Sequence, residues 1–220
     1  MLDDIRIGTP RACDDDVRVG YPSERVASDW LHLGPDATLR SGTVIYVGSR
    51  IGARLSTGHH VVIREECEIG DDVSVWSNSV VDYGCRIGDG VKIHSNCYIA
   101  QYTQIDEGAF LAPGVTIAND LYPRVTGSRD VMAGPHIGAG ARIGVNVTLL
   151  PFVRIGEGAL IGSGAVVTRD VPAGMVAYGN PARSRGAVAD LIPIGARVVN
   201  ADGSASRFRI ADRELIPGEP

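Results

Sequence analysis

Residues 63–98 read IREECEIGDDVSVWSNSVVDYGCRIGDGVKIHSNCY, and an aliphatic side chain returns at every sixth position: Ile63, Ile69, Val75, Val81, Ile87 and Ile93. The same step runs back through Thr57, Ile51, Ile45 and Leu39 to Leu33, and forward through Ile99, Ile105 and Leu111 to Ile117. Fourteen of these fifteen positions are aliphatic, a self-similarity no single amphipathic element produces. A helix cannot hold such residues on one face, because six steps of about 100° leave each one about 240° from the last. Short strands joined by regular corners can. Three hexapeptides then make one triangular coil of about 18 residues that rises about 4.8 Å, the spacing between paired strands. The pattern predicts an all-β chain wound as a parallel β-helix, with the aliphatic residue pointing inward from each flat side.

Four places after each aliphatic stands a smaller residue: Val61, Cys67, Val73, Ser79, Cys85, Val91, Cys97 and Thr103. These fill the space near the corners, so three of the four cysteines are expected in the core as small hydrophobes. The cysteines have neither CxxC spacing nor the density of a disulfide scaffold.

The repeat breaks after Ile117 and resumes at Ile137, continuing through Ile143, Leu149, Ile155 and Ile161 to Val167 with its phase slipped by two residues. An insertion at residues 119–136 leaves the coil and returns, with Pro123, Gly127, Gly134 and Pro135 as turn-formers. Residues 1–32 are expected to cap the open end of the coil, which occupies 33–185. Residues 186–220 form a short C-terminal tail with two strand-like runs, ARVVN and SRFRI.

The chain has 220 residues and a net charge of -5, which argues against a nucleic-acid partner. No apolar run is long enough to cross a membrane as a helix, and MLDDIRIGTP lacks the basic and apolar regions of a signal peptide. No membrane partner and a cytoplasmic location are therefore expected. No H-x-x-x-x-H pair is present, and no metal site is expected.

The repeat, with the closing segment IGSGAVVTRDVPAGMVAYGNPAR, resembles the left-handed β-helix acyltransferases of the hexapeptide-repeat superfamily. Within it, RSGTVIYVGSRIG, TGHHVVIREECEIGDDVSVWSNSVVDYGCRIG and FLAPGVTIANDLYPR are similar to the nucleotide-linked amino-sugar N-acetyltransferase group, over roughly residues 17–185. The left hand of the coil is implied by the resemblance alone, since crossovers between parallel strands are ordinarily right-handed. The resemblance also implies a homotrimer, with acetyl-CoA as cosubstrate in the groove between neighbouring coils and a nucleotide-linked amino sugar as acceptor.

Acetyl transfer from a thioester needs a nucleophile held in line with the carbonyl and a destination for its proton. In the resembled group an asparagine opens the inserted loop, which is Asn119 in this chain. Its amide can accept a hydrogen bond from an amine N–H but cannot act as a base; the residue could equally cap the turn that leaves the coil. His94, stacked by register between Trp76 and Ala112, and His136, at the loop's return, are the candidates for a base. With either, the same fold would perform sugar O-acetylation, and a non-catalytic β-helix scaffold is the third alternative. Arg169 and Arg183 match positions that resembled enzymes fill with lysine or arginine near the phosphates of coenzyme A. Gly144, Gly162 and Ala165 lack bulk along the expected path of its pantetheine arm. Tyr122, Arg124 and Arg129 in the loop are candidates for the sugar or its diphosphate.

Overall fold

The computed structural model describes residues 4–26 and 30–191, and beyond them the backbone of three short strands at Arg197–Val199, Ala205–Phe208 and Leu215–Pro217. Among the described residues the chain divides into two units, 1–186 and 187–220.

The first unit is a three-sided parallel β-helix. Its strands, mostly two residues long, fall into three parallel sheets of eight, ten and eight strands. We name these face A, which holds Glu68–Ile69, Gln104–Ile105 and His136–Ile137; face B, with Ser74–Val75, Lys92–Ile93 and Phe110–Leu111; and face C, with Val80–Val81, Tyr98–Ile99 and Thr116–Ile117. The chain visits A, B and C in turn, so Ile69 pairs with Ile87, and Ile87 with Ile105, one coil further on. Residues 5–21 already pair this way: Ile5–Ile7, Ala12–Cys13 and Arg18–Tyr21 lie parallel to the strands of the next coil. Three parallel sheets and the hexapeptide period are the architecture of the left-handed parallel β-helix.

Two residues per strand suffice because every inward position is filled. The aliphatic series from Leu33 to Ile117 and from Ile137 to Val167 is buried throughout, as are Val61, Cys67, Val73, Cys85, Val91 and Cys97. Fully burying one such aliphatic is worth about 1.5–3 kcal/mol. Thr57, the one polar member of the series, is also buried, where its Oγ1 lies 2.9 Å from Thr43 Oγ1 and accepts from the Arg40 amide at 3.1 Å. Ser49 and Ser79 occupy inward corner positions and donate to the carbonyls of Arg64 and His94 at 3.0 and 2.8 Å. The three buried thiols reach the next coil's carbonyls of Asp82, Ala100 and Ala112. Burial raises the Cys97 thiol, and its neighbour Cys67 together with burial raises Cys85, so these are inert packing groups. Corners turn at residues of positive φ, among them Asp72, Asn78, Asn96 and Asn146, types that tolerate the left-handed region.

The insertion leaves face C after Ile117 and rejoins face A at His136, in register with Gln104 of the preceding coil. At its neck the Ala133 amide donates to the Asn119 carbonyl at 3.1 Å, and a single 3-10 turn, Ser128–Val131, shapes its tip. A helix long and apolar enough to cross a membrane is absent among the described residues.

In the second unit the three strands form one antiparallel sheet, with Val198 opposite Ser206 and Arg207 opposite Ile216. The two strand-like runs of the tail supply the first two strands. Residues 196, 200, 209 and 210 of those runs lie outside the described residues, and the third strand, Leu215–Pro217, carries no alternation that would have marked it.

Candidate functional site

Asn119 stands where the chain turns from face C into the insertion, and its side chain is half-buried. Nδ2 donates to Gln101 Oε1 at 2.6 Å and to Met132 Sδ at 3.4 Å. Among the described residues no group donates to Oδ1. Gln101 lies one coil before Asn119 at the same corner, and its Nε2 donates in turn to Asp82 Oδ2 at 2.5 Å. The same oxygen accepts from the Tyr98 hydroxyl at 2.8 Å, while Asp82 Oδ1 accepts from the Tyr83 amide at 2.8 Å and lies 3.9 Å from Arg64 Nη1. Burial and the Asp82 carboxylate push the Tyr98 hydroxyl up to about 12, so it remains a donor.

One coil further back, Glu65 is wholly buried. Arg64 holds it with two bonds of 2.9 Å, and Arg25 Nε lies 3.4 Å away. Burial, the largest single influence, would raise this carboxyl, but the bonds and charge of Arg64 together with further hydrogen bonds outweigh it, and the pKa lies below the ordinary value. Arg25 also lies over the Tyr83 ring at 3.7 Å. The corner between faces C and A therefore carries a continuous polar ladder that ends at Asn119. Nothing in the six-residue period marks Asp82, Tyr98, Gln101 or Glu65. Stepping back 18 residues from Asn119 finds Gln101, Tyr83 and Glu65, and that polar column is the signal that would have revealed it.

A second feature lies on face B, a groove of about 830 Å³ with Phe110, Val145 and Leu160 along its wall. Gly144 and Gly162 line it as expected, yet their lack of a side chain has a reason inside the coil. A Cβ on Gly144 would come 2.6 Å from the Ser163 backbone nitrogen, and one on Gly162 would come 2.8 Å from Tyr178 Cβ. Ala165 is not in the groove. It occupies the inward corner position four places after Ile161 and is fully buried in the core, so its side chain reaches no ligand. The groove instead includes two cations that the inward series could not reveal, Lys92 and Arg142, each directly before an inward aliphatic.

His94 is half-buried at the corner between faces B and C, its ring 3.7 Å from that of Trp76 and 6.1 Å from that of Phe110. Its Nδ1 is buried and has no hydrogen-bond partner among the described residues. His136 is on face A, where Nε2 lies 2.8 Å from Asp106 Oδ2. The three catalytic candidates thus sit at different places on three successive coils: His94 at a B-to-C corner, Asn119 at the C-to-A corner of the next coil and His136 on face A at the start of the one after.

Arg124 and Arg129 border one hollow of the insertion, about 760 Å³, together with Asp120 and Asp130. Tyr122 is exposed and borders a smaller hollow of about 300 Å³ with Leu121, Val131 and Phe152. Arg169 and Arg183 are exposed near the carboxyl end of the coil, where Arg183 Nη1 donates to the Ala182 carbonyl at 2.8 Å.

The family described as bacterial transferase hexapeptide (six repeats) matches residues 84–119 and 134–169, the two blocks that flank the insertion. No curated protein matches the sequence. Among solved structures, a mutant of perosamine N-acetyltransferase from Caulobacter crescentus, in complex with CoA and GDP-perosamine, is 22% identical over 67% of this chain, with a TM-score of 0.41. The acetyltransferase domain of PglB from Neisseria gonorrhoeae, in complex with acetyl coenzyme A, is 22% identical over 68% of this chain, with a TM-score of 0.40. The UDP-N-acetylglucosamine O-acyltransferase of Moraxella catarrhalis is 21% identical over 84% of this chain, with a TM-score of 0.41. The matched regions cover 58%, 57% and 73% of those three chains.

Proposed function

We propose that this chain, whose coils carry the bacterial transferase hexapeptide repeat, is an acyltransferase that moves an acetyl group from acetyl-CoA to the amino group of a nucleotide-linked amino sugar. The observation that carries the reading is the state of Asn119. Both N–H groups of its amide are engaged by Gln101 and Met132, which leaves Oδ1 as a lone acceptor at the mouth of the insertion. An acceptor that cannot take a proton suits an amine nucleophile, which needs orientation of its N–H and lone pair but no strong base. The amine nitrogen forms the new C–N bond as the thioester C–S bond breaks, and the proton it loses leaves with the thiol.

Acetyl-CoA fits the face-B groove chemically. Phe110, Val145 and Leu160 offer apolar contact for a pantetheine arm, and Lys92 and Arg142 offer charge for phosphates. Arg169 and Arg183 extend that positive charge toward the carboxyl end of the coil. Arg124 and Arg129 in the insertion take the acceptor's diphosphate, and Tyr122 its sugar.

The Asn119 corner and the groove lie on opposite borders of face C, so one chain alone does not close a site. Face C itself presents an outward row of Val44, Val62, Val80, Tyr98, Thr116, Thr148 and Val166. Three chains that turn this uncharged face toward a common axis bring the Asn119 corner of each against the groove of the next. A homotrimer with shared sites is the assembly we infer.

The His136–Asp106 pair favours a second reading. An imidazole held by a carboxylate is the arrangement of a general base, and a base would serve a hydroxyl acceptor. Thiol release measured over a panel of nucleotide-linked amino sugars, for Asn119→Ala, His94→Ala and His136→Ala at several pH values, separates the two. Amine transfer predicts that Asn119→Ala loses about 10–100 fold in kcat/KM and that each histidine variant loses less. O-acetylation reverses the order, with about 100–10,000 fold lost on removal of the true base and little lost for Asn119→Ala.

A further inference from the structure

An amide side chain can present either its oxygen or its nitrogen, and nothing intrinsic to Asn119 chooses between them. The choice is made two residues away. Asp82 is a carboxylate that receives three donors, the Tyr98 hydroxyl, the Tyr83 amide and Gln101 Nε2, and it has no hydrogen to give. Gln101 must therefore turn its nitrogen to Asp82, which aims Oε1 at Asn119. Asn119 must then turn its own nitrogen to Gln101, which leaves Oδ1 outward. The arrangement is local and rigid, because Asp82 is 7% exposed and the coil backbone fixes the spacing of the three corners.

We propose that Asp82, acting through Gln101, is the positioning residue that sets the polarity of Asn119, so that the acceptor site presents an oxygen to an incoming amine. The proposal rests on Asn119 bordering the acceptor site, as argued above. In this relay Asp82 and Gln101 touch neither substrate; they act only through the direction of one amide dipole.

Asp82→Asn is a selective test because it has the same shape and can be fully satisfied with every dipole reversed. Nδ2 of the new side chain would donate to the Tyr98 oxygen and to Gln101 Oε1, while its Oδ1 keeps the Tyr83 amide. Gln101 would then offer its nitrogen to Asn119, and Asn119 would turn an N–H toward the amine, where two donors meet. Adding Gln101→Glu restores an acceptor-only group beside Asn119, and with it the original direction.

Turnover of the fastest acceptor in the amino-sugar panel should fall about 10–100 fold in kcat for Asp82→Asn, with KM for acetyl-CoA unchanged. Asp82→Asn/Gln101→Glu should return to within about threefold of wild type, and Asp82→Asn should cost nothing further in an Asn119→Ala background. Gln101→Met, which breaks the relay without touching Asp82, provides a second measurement should Asp82→Asn not fold, and should also lower kcat. If Asn119→Ala loses rate while Asp82→Asn and Gln101→Met retain it, or if the double variant shows no recovery, the relay is overturned and the acceptor-site reading stands. If Asn119→Ala itself retains full rate, the acceptor-site reading fails and takes the relay with it.

Discussion

Face A and face C are built on the same hexapeptide, with mostly two-residue strands and the same inward aliphatics, yet their outward rows differ completely. On face A the residues in register from coil to coil are Arg6, His32, Arg50, Glu68, Arg86, Gln104, His136 and Arg154. On face C, apart from Arg18 at its end, they are valine, tyrosine and threonine. A sheet buried on one side alternates apolar with polar residues, whereas one covered on both sides does not. The inward row builds the coil and is therefore the same on every face; the outward row records what each face meets. By that measure face A is the solvent-facing side, and face C is the contact surface of the trimer proposed above.

The most severe way to break the comparison is to put a charge into the face-C row. Val80→Asp should dissociate the proposed trimer to monomers and abolish acetyl transfer, since an unpaired carboxylate would be buried at each contact of that assembly at a cost of several kcal/mol apiece. The monomer should keep its β-helical circular dichroism, because Val80 points away from the core. Arg86→Glu, the outward residue of the next strand on face A, should change neither mass nor rate. Sedimentation of both variants at micromolar concentration decides it: a Val80→Asp protein with unchanged mass removes face C as the contact surface.

The corner between these two faces offers a sharper and smaller test. Glu65→Gln keeps the shape but replaces a buried carboxylate that Arg64 and Arg25 hold. The loss of charge-assisted bonds should cost about 2 kcal/mol and lower Tm by several degrees. The sign with pH follows from the lowered pKa of Glu65. A carboxyl whose folded pKa lies below its unfolded value adds stability that is complete above the unfolded pKa and lost as pH falls through the folded one. The Tm gap between wild type and variant should therefore be full above the ordinary value of 4.5 and close below it. A gap that stays constant from neutral to strongly acidic pH would show that charge at Glu65 is irrelevant.

The inward half of this structure was legible in the sequence because a period of six leaves a mark on any single line of text. Leu33 through Ile117, the three buried cysteines and the resumption at Ile137 all follow from it. The outward half obeys a different period. Neighbours on the surface are 18 residues apart, so Val44, Val62 and Val80, or Asn119 and Gln101, look unrelated until the coil stacks them. Asp82 is harder still, since a lone aspartate near a corner reads as a turn residue and only its burial identifies it as an anchor. Asn119 becomes a candidate because it begins the segment that departs from the repeat, at the place where the resembled group carries an asparagine. Ala165 is small enough to suggest room for a ligand, but its position four places after Ile161 assigns it to the core, where it is fully buried.

The smallest effect tests whether face A is as indifferent as its exposure implies. Arg86 and Glu68 lie one coil apart with Nε and Oε2 at 3.4 Å, and their side chains are 68% and 67% exposed. Two long side chains in water lose rotamer entropy to hold one geometry, and salt screens what attraction remains. Arg86→Ala should therefore leave Tm unchanged within error at physiological salt, and should leave mass and kcat as in wild type. The comparison with face C makes this more than a routine null, because the two outward rows share the same backbone ladder and differ only in side chains. If removal of Arg86 lowers Tm by several degrees or loosens the proposed trimer, then face A meets a partner surface, and charge is no longer a mark of the solvent-facing side in this coil.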